Sequence, residues 1–391
     1  MYEKKYLIQI IKYLLNKEYE TICLPIPEAV IDWSLLFRLA QKHSISHLLY
    51  PIASELPGTF QPSQEVLEKL QKQYFYTTVI DRKQQAELHL LMEEMEKRQL
   101  YFLPVKGSDT KQYYPKSEWR TMGDLDVLYK DSQHKQMKAT MLALGYSDYQ
   151  TGLKHDHCSK PPFLHVELHR ALVAANTMAE SYYDDVWEFA KPRDGYKYVY
   201  QMTLEEQYIY TMVHLLEHFK EGGIGIRFVM DVYVFCKNTK LDRDYLAKKF
   251  SALGMTEFVQ NVEKLAQKWF DCGECGFSKE ELLLLEELED FIISNGTYGS
   301  SENSRAIALE KEGRLGYVRR VVFPNYNSMK TLYPWLNGKR VLLPIAWGMR
   351  IVRTVLFRKR SLKLGLATVT SGDMEQGKEL RAFYKRCGIK G

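Results

Sequence analysis

Residues 106–129 read KGSDTKQYYPKSEWRTMGDLDVLY. The bounded run of aromatic and branched side chains just before them, at 101–105, predicts a β-strand. Gly107-Ser108 breaks this strand, and a second strand is predicted at 125–129, with a short helix between the two. The segment therefore indicates a strand–helix–strand unit with a glycine–serine turn at the end of its first strand.

Two aspartates, Asp124 and Asp126, lie at the start of the second predicted strand. Residues two apart in a strand point to the same face, so their carboxylates are expected side by side. Such a pair repels unless a cation neutralises it, and its oxygen ligands suit Mg²⁺ (or Mn²⁺), which leaves positions for substrate phosphates. The backbone N–H groups and hydroxyl of Gly107-Ser108 offer a phosphate cradle at a helix N-terminus. The unit predicts metal-assisted nucleotidyl transfer.

The order of these motifs resembles that of the polymerase-beta-like nucleotidyltransferase superfamily. More narrowly, Lys106-Gly107 with Arg120 ahead of the GDLD sequence at 123–126 is similar to the bacterial uncharacterised nucleotidyltransferase family, from about Ile31 to about Arg353. The resemblance implies an α+β fold. In that fold a polymerase-beta-like core, a small mixed sheet with helices, is embedded between N-terminal and C-terminal helical regions.

A third carboxylate is expected from the segment 163–169, FLHVELH, which alternates apolar and polar residues and predicts a strand. Glu167 on its polar face matches the late acidic residue of the superfamily. It is predicted to join Asp124 and Asp126 as a catalytic residue and metal ligand, the alternative being an ordinary surface glutamate. His169, one strand step beyond, is expected to contact substrate.

The predicted reaction moves a nucleoside monophosphate from a nucleoside triphosphate, expected to be ATP, to a hydroxyl acceptor and releases pyrophosphate. Gly107 and Ser108 are predicted to hold the β- and γ-phosphates, and Lys106 and Arg120 to neutralise phosphate charge. For each of these two cations the alternative is a structural ion pair. The main rival function is a nucleotide-binding module without turnover, which keeps the fold but cleaves nothing.

Two further residue pairs are expected near the site. His214 and His218 share a face of one predicted helix, and Arg227 and Asp231 are four apart on the next, a pattern that resembles the same family. They either line the cleft opposite the carboxylates or form a buried polar network between the helices. Read alone, the HLLEH sequence that contains Glu217 is the H-x-x-E-H motif of inverted zinc proteases. That remote alternative leaves the glycine–serine turn and the paired aspartates unexplained.

Four regions are predicted along the 391 residues. They are an N-terminal helical cap (1–100), the nucleotidyltransferase α/β core (101–175), a helical domain lining the cleft (176–330), and a basic C-terminal helix and tail (331–391). A hydrophobic content of 45% with 26% charged residues is ordinary for a globular protein, so a sizeable core is expected.

The net charge of +5 is unevenly distributed. Residues 331–391 contain 13 Lys or Arg and 3 Asp or Glu, so the preceding 330 residues sum to −5, which argues against a long nucleic acid in the cleft. The apolar and basic helix predicted at 341–357, bordered by Arg358-Lys359-Arg360, has three interpretations. Docking on the body is preferred over contact with an anionic membrane surface or with nucleic acid. The polar residues from Thr370 predict a loosely ordered tail.

The six scattered cysteines predict no disulfide framework, which favours a reducing compartment. The N-terminal residues lack the continuous apolar region of a signal peptide, and no run approaches the roughly 18 apolar residues of a membrane span. A cytoplasmic location is therefore expected. The sequences HDHC at 155–158 and CGEC at 272–275 are weak zinc signals. The preferred interpretation is a loop whose histidines are solvated or reach a phosphate for the first, and a structural or solvated turn for the second.

Overall fold

The computed structural model describes residues 2–152, 155–162, 164–173, 177, 179–273, 275–297, 299–357 and 371–389. The border sequence Arg358-Lys359-Arg360 lies outside these ranges, as does the first residue of the predicted strand at 163–169.

Helices dominate the chain. In order they are α1 Tyr2–Asn16, α2 Trp33–Lys42, α3 Leu49–Glu55, α4 Gln64–Lys97, α5 Gly107–Thr110, α6 His134–Ala143, α7 Leu204–Glu221, α8 Ile226–Asn238, α9 Arg243–Ala252, α10 Thr256–Phe270, α11 Lys279–Asn295, α12 Ser301–Val322, α13 Tyr326–Leu332, α14 Leu343–Phe357 and α15 Ser371–Arg386. The strands are β1 Phe102–Pro104, β2 Leu125–Tyr129, β3 Ser147–Thr151, β4 His155–Lys160, β5 Leu164–His169, β6 Ala190–Pro192 and β7 Tyr200–Met202.

The N-terminal helices pack on helices that follow the sheet in sequence. Helix α1 buries an apolar stripe with helical spacing that includes Leu7, Ile11 and Leu14. The side-chain amide of Asn16, at the end of α1, donates to the carbonyl of Phe270 at the end of α10, at 2.8 Å. One hydrophobic core therefore contains residues of the N-terminal helices and of the helices that follow the sheet in sequence. Helix α4 runs unbroken for 34 residues because no glycine or proline interrupts it.

A five-stranded mixed sheet, in the order β1-β2-β5-β4-β3, carries the residues of interest. Strands β2 and β5 pair in parallel and the other neighbours are antiparallel. One face buries Val127, Val166 and Leu168 against methionines and leucines of α4 and α6. Because strand residues alternate between faces, the polar partners of these residues point to the opposite side. This small mixed sheet with flanking helices is the α+β fold that the resemblance implies.

A small second sheet was not predicted from the sequence. Strands β6 and β7 form an antiparallel pair, although the region after 175 was expected to be helical. The pair leads back to the main sheet, where the backbone N–H of Phe102 in β1 donates to the carbonyl of Tyr198 at 2.9 Å. These strands are three residues long, so their alternation is too short to distinguish them from loop.

The C-terminal end of the described chain returns to the body. Helix α15 packs against the first half of α12 so closely that a Cβ on Gly377 would lie 2.4 Å from the carbonyl oxygen of Ala306. The expectation of a loosely ordered tail was therefore wrong for 371–389, because tertiary packing supplies what local sequence does not. Helix α12 itself kinks at Gly313, whose φ is 68°. No helix among the described ranges has both the length and the apolar character needed to cross a bilayer.

Candidate active site

The three predicted carboxylates lie together along one cleft. Asp126 in β2 and Glu167 in β5 occupy the same register position of two neighbouring parallel strands. Asp124 precedes β2 by one residue, and all three side chains line the cleft together with Lys106. Parallel pairing of the two strands is what brings residues 41 positions apart in sequence into one group.

Asp126 is the charged centre of this group. It accepts hydrogen bonds from Lys106 Nζ at 2.6 Å and from His169 Nε2 at 2.8 Å, both on its Oδ1. Burial by itself would raise the pKa of Asp126, but the bond from His169 and the charge of Lys106 outweigh it and lower the pKa to about 2. Asp126 is therefore ionised throughout the physiological pH range. His169, expected at the substrate, instead lies buried against Asp126.

The pKa of Asp124 is shifted in the opposite direction from that of Asp126. Burial, followed by the charges of Asp126 and Glu167, raises the pKa of Asp124 to about 7. The hydrogen bond that the Glu167 carboxylate accepts from His169 is the main cause that lowers the pKa of Glu167. Three carboxyl groups thus share one part of the cleft with Lys106, and their donor atoms are carboxylate oxygens. Carboxylate oxygens are the donors that Mg²⁺ and Mn²⁺ prefer, so Asp124, Asp126 and Glu167 are the residues that would hold such an ion. Their oxygens would have to draw closer to hold a single ion, since among the described residues the group with ligand atoms within 4.8 Å of one another is His155, Glu167 and His169.

Histidines of β4 surround Glu167 from the other side. His157 lies opposite Glu167 and His155 opposite His169 in the antiparallel β4–β5 register. Glu167 Oε1 is 3.5 Å from His157 Nδ1 and 3.8 Å from His155 Nε2, while its Oε2 is 3.4 Å from His169 Nε2. His155, Glu167 and His169, the histidine–glutamate cluster, each place a ligand atom within 4.8 Å of the others.

The two β4 histidines were not predicted at the site, because their segment was expected to be a solvated loop. A usable signal was present, since His155 and His157 alternate with Asp156 and Cys158 at the period of a strand. The alternation also divides the HDHC sequence between two faces. Asp156 accepts a hydrogen bond from the Tyr149 hydroxyl and Cys158 is buried in the apolar core, so these four residues do not form one zinc site.

The glycine–serine turn contributes unequally to the cleft. Lys106 has a φ of 54°, a left-handed backbone, and its carbonyl accepts from the backbone N–H of Thr110 at 2.9 Å. Gly107 lines the cleft and is packed tightly, since a Cβ there would lie 2.8 Å from Met122 Cγ. Thr110, one helical turn further on, also lines the cleft and was not predicted. Ser108 is not among the lining residues in the described chain, and its Oγ is buried without a hydrogen-bond partner there.

Arg120 forms the structural ion pair that was the alternative to a phosphate contact. Its Nε donates to both carboxylate oxygens of Asp231, at 2.7 and 3.0 Å, and the Tyr114 hydroxyl donates to the same carboxylate at 2.6 Å. Arg120 and Arg227 both donate to the carbonyl of Thr121, at 2.8 and 3.0 Å. Arg120, Arg227 and Asp231 nevertheless line the cleft. The same three residues thus form a buried polar network and part of the cleft wall.

An aromatic wall faces the carboxylates. His214 and His218 meet edge to face with ring centroids 4.5 Å apart, and Phe228 lies 5.5 Å from His218. Tyr210 of the same helix also lines the cleft. Burial is the main cause that lowers the pKa of both histidines, so the wall presents neutral imidazoles at pH 7.

The zinc-protease interpretation requires a third ligand beside His214 and His218. Within the described residues the metal-capable group of three His, Cys, Asp or Glu side chains is the histidine–glutamate cluster, which does not include this pair. The geometry therefore supplies no support for a zinc site built on the H-x-x-E-H motif.

A small mixed sheet with Asp126 and Glu167 on adjacent strands, and Asp124 just before the first of them, has the features of a nucleotidyltransferase core. A family model described as uncharacterised nucleotidyltransferase matches residues 29–271, which is more than half of the chain. The chain therefore belongs to the uncharacterised nucleotidyltransferase family, and its general class of reaction is nucleotidyl transfer. The match ends well before Arg353, where the resemblance was expected to end, so α11 to α15 lie outside it. No curated protein and no solved structure matches the chain.

Proposed function

We propose that the protein is a Mg²⁺- or Mn²⁺-dependent nucleotidyltransferase that transfers a nucleoside monophosphate from a nucleoside triphosphate, with ATP the first choice, to a hydroxyl acceptor. The observation that carries the proposal is the arrangement of Asp124, Asp126 and Glu167. Asp126 and Glu167 are neighbours on adjacent parallel strands, Asp124 immediately precedes β2, and all three line a cleft that also contains Lys106. Family membership supports the class of reaction but names no acceptor.

In this proposal the carboxylates bind the metal ion and Lys106 contacts the phosphates of the nucleotide. Asp124, Asp126 and Glu167 would hold the ion, which would supply Lewis-acid polarisation of the phosphoryl group. Lys106 adds a fixed positive charge beside them, and its bond to Asp126 sets its direction. The backbone of Gly107 approaches the same space, where a larger residue would collide with Met122. Glu167 is assigned to orient the attacking hydroxyl.

The proposed step is an in-line displacement at the α-phosphorus. The acceptor oxygen forms a bond to the α-phosphorus, the bond from that phosphorus to the α–β bridging oxygen breaks, and pyrophosphate leaves. The hydroxyl proton passes to a cleft carboxylate and then to solvent. The neutral aromatic wall of Tyr210, His214, His218 and Phe228 suits a stacked base or an acceptor ring, because it binds flat apolar faces without adding charge.

The nature of the partners follows from charge and compartment. The net charge of −5 before residue 331 supports a small acceptor in preference to a long nucleic acid. All six cysteines are free, which supports a reducing compartment such as the cytoplasm for this activity.

The test is pyrophosphate release from ATP, GTP, CTP or UTP with Mg²⁺, in the presence of a cell extract as the source of acceptors. Asp126→Ala should lower the rate by about 100-fold or more, because it removes a metal ligand. Asp131→Ala is the matched control, since Asp131 is an aspartate just beyond β2 whose side chain is exposed. Equal rates in wild type and Asp126→Ala would remove the catalytic claim.

Two additional measurements identify the partners. Calorimetric titration with a nucleoside triphosphate measures nucleotide binding, which both the transferase and the module without turnover should show. Binding together with pyrophosphate release indicates the transferase, and binding without pyrophosphate release with any extract indicates the module. Labelling the extract with α-³²P nucleotides and sizing the labelled product distinguishes a small molecule, a protein and an RNA end as the acceptor.

A further inference from the structure

A basic and apolar module follows the kink at Gly313. We call residues 314–357 the C-terminal module; it contains the second half of α12, then α13 and α14. From Gly313 to Gly372 the sequence has twelve Lys or Arg and no Asp or Glu. Eight of these cations lie in the described part, and the whole module is outside the range of the family match. It therefore has a composition unlike the rest of the chain.

The module has a small core of its own. Met329, Leu336 and Ala346 are fully buried in a cluster separate from the main hydrophobic core. The indole N–H of Trp347 donates to the carbonyl of Pro324 at 2.8 Å, and this bond ties α14 to the segment before α13. The module is thus a packed unit that has already buried the apolar residues it can bury by itself.

Other apolar side chains of α14 remain in solvent. Ile345, Met349 and Val352 are 57%, 48% and 57% exposed, and their spacing of four and three places them on one helix face. Val341, two residues before α14, and Leu315 in α12 are also exposed. A packed protein rarely leaves such a row of aliphatic residues uncovered unless something else covers it.

The module also exposes cations, and one of them, Arg353, lies one helical turn after Met349. Arg314, Arg319, Lys339, Arg340 and Arg353 are exposed. Within the described part of the chain, Arg320 is the module's cation with a carboxylate partner, Glu312. The surface therefore combines aliphatic side chains with positive charge that nearby carboxylates leave largely unbalanced.

We propose that the C-terminal module binds the surface of a membrane that contains anionic phospholipids. Ile345, Met349 and Val352 would enter the interface between headgroups and acyl chains, and the module's cations would contact lipid phosphates. The chain before residue 331 carries −5 and would be repelled by the same surface, so the module would meet the membrane first. The absence of a bilayer-spanning helix in the described ranges agrees with attachment at the surface.

Charge and chemistry favour lipid over two other occupants. A second copy of this chain would bring eight cations against eight with no carboxylate to pair with them, which costs free energy. A nucleic acid would satisfy the cations, but the row of Ile, Met and Val offers it neither a hydrogen bond nor an aromatic stacking surface. An anionic lipid surface satisfies both features at once.

The experiment is flotation of the full chain with vesicles of phosphatidylcholine alone or mixed with phosphatidylglycerol. Wild type should float with the mixed vesicles, more weakly at high salt, and remain unbound with phosphatidylcholine alone. The double variant Ile345→Glu/Met349→Glu should bind the mixed vesicles about tenfold or more weakly, because it places two anions on the contact face. The matched control is Val30→Glu, since Val30 is 92% exposed in the N-terminal region and should bind as wild type.

Several outcomes of these measurements would contradict the inference. Equal binding by the double variant, or no binding to the mixed vesicles by wild type, contradicts it. So does a stable dimer by light scattering that the double variant abolishes without any vesicle binding, or saturable RNA binding in its place. A thermal midpoint unchanged from wild type confirms that the variants are folded. The assay does not depend on nucleotidyl transfer, so the two proposals succeed or fail separately.

Discussion

Replacing Asp124 with asparagine is expected to stabilise the folded protein, because this carboxylate is held against two others. Burial and the charges of Asp126 and Glu167 raise the pKa of Asp124 from 3.8 to about 7. Between these two pH values the unfolded chain loses the proton of this carboxyl group and the folded chain retains it. The folded state therefore binds more protons, and the free energy of unfolding falls as the pH rises through this window.

The size of the effect follows from the pKa. Without solvent screening, a pKa raised from 3.8 to about 7 corresponds to a loss of about 4 kcal/mol in the free energy of unfolding. Asp124 is partly open to the cleft, and Lys106 offsets some of the repulsion. We therefore expect Asp124→Asn to be more stable than wild type by about 2 kcal/mol above about pH 7, after a discount for solvent screening. The difference should shrink toward zero near about pH 4, where the wild-type carboxyl group is neutral in the folded state.

The assay is urea unfolding followed by circular dichroism across this pH range, with EDTA present. Asp126→Asn is the matched control and should have the opposite sign. Its carboxylate has a lowered pKa and contributes stability that is present above its ordinary pKa and lost as the pH falls toward about 2. Removing it leaves Lys106 and His169 without their anion and should destabilise the protein by about 2–4 kcal/mol. The reasoning is refuted if Asp124→Asn is no more stable than wild type at pH 8.

Three other substitutions test separate parts of the site. Gly107→Ala should lower stability by about 1 kcal/mol in urea unfolding, because its Cβ would meet Met122, and should cost much less in a Met122→Ala background; equal costs would contradict the close packing. Arg120→Ala should cost about 3 kcal/mol because it leaves Asp231 buried without its main cation, and a double-mutant cycle with Asp231→Asn should show coupling; additivity would argue against the pair. The histidine–glutamate cluster has imidazole and carboxylate donors that suit Zn²⁺, so added Zn²⁺ should bind there and His155→Ala should weaken that binding about tenfold, measured by competition with a chromogenic chelator, while nucleotide turnover with Mg²⁺ persists; unchanged Zn²⁺ affinity would exclude the cluster as a Zn²⁺ site.

Local pattern was sufficient for the elements that carry the chemistry. The alternation in Leu164–His169 correctly separated Val166 and Leu168, which are buried, from Glu167, which faces the cleft. Strand periodicity likewise predicted that the carboxylates of Asp124 and Asp126 would lie side by side, and both line the cleft. The predicted N-terminal helical cap contains the long helix α4, whose sequence has no glycine or proline to interrupt it. These features depend on residues a few positions apart, and the steric rules of strand and helix act over that distance.

Long-range pairing decided the rest. The bond between Arg120 and Asp231 joins residues 111 apart, and no spacing rule distinguishes such a pair from a free arginine at a phosphate site. The β4–β5 register placed His155 and His157 beside Glu167, where the sequence alone had suggested a solvated loop. Helix α15 formed where a loose tail was expected, because α12 provides the surface that it covers. Which segments meet is set by the shared burial of distant apolar faces, and that free energy exists only in the assembled fold.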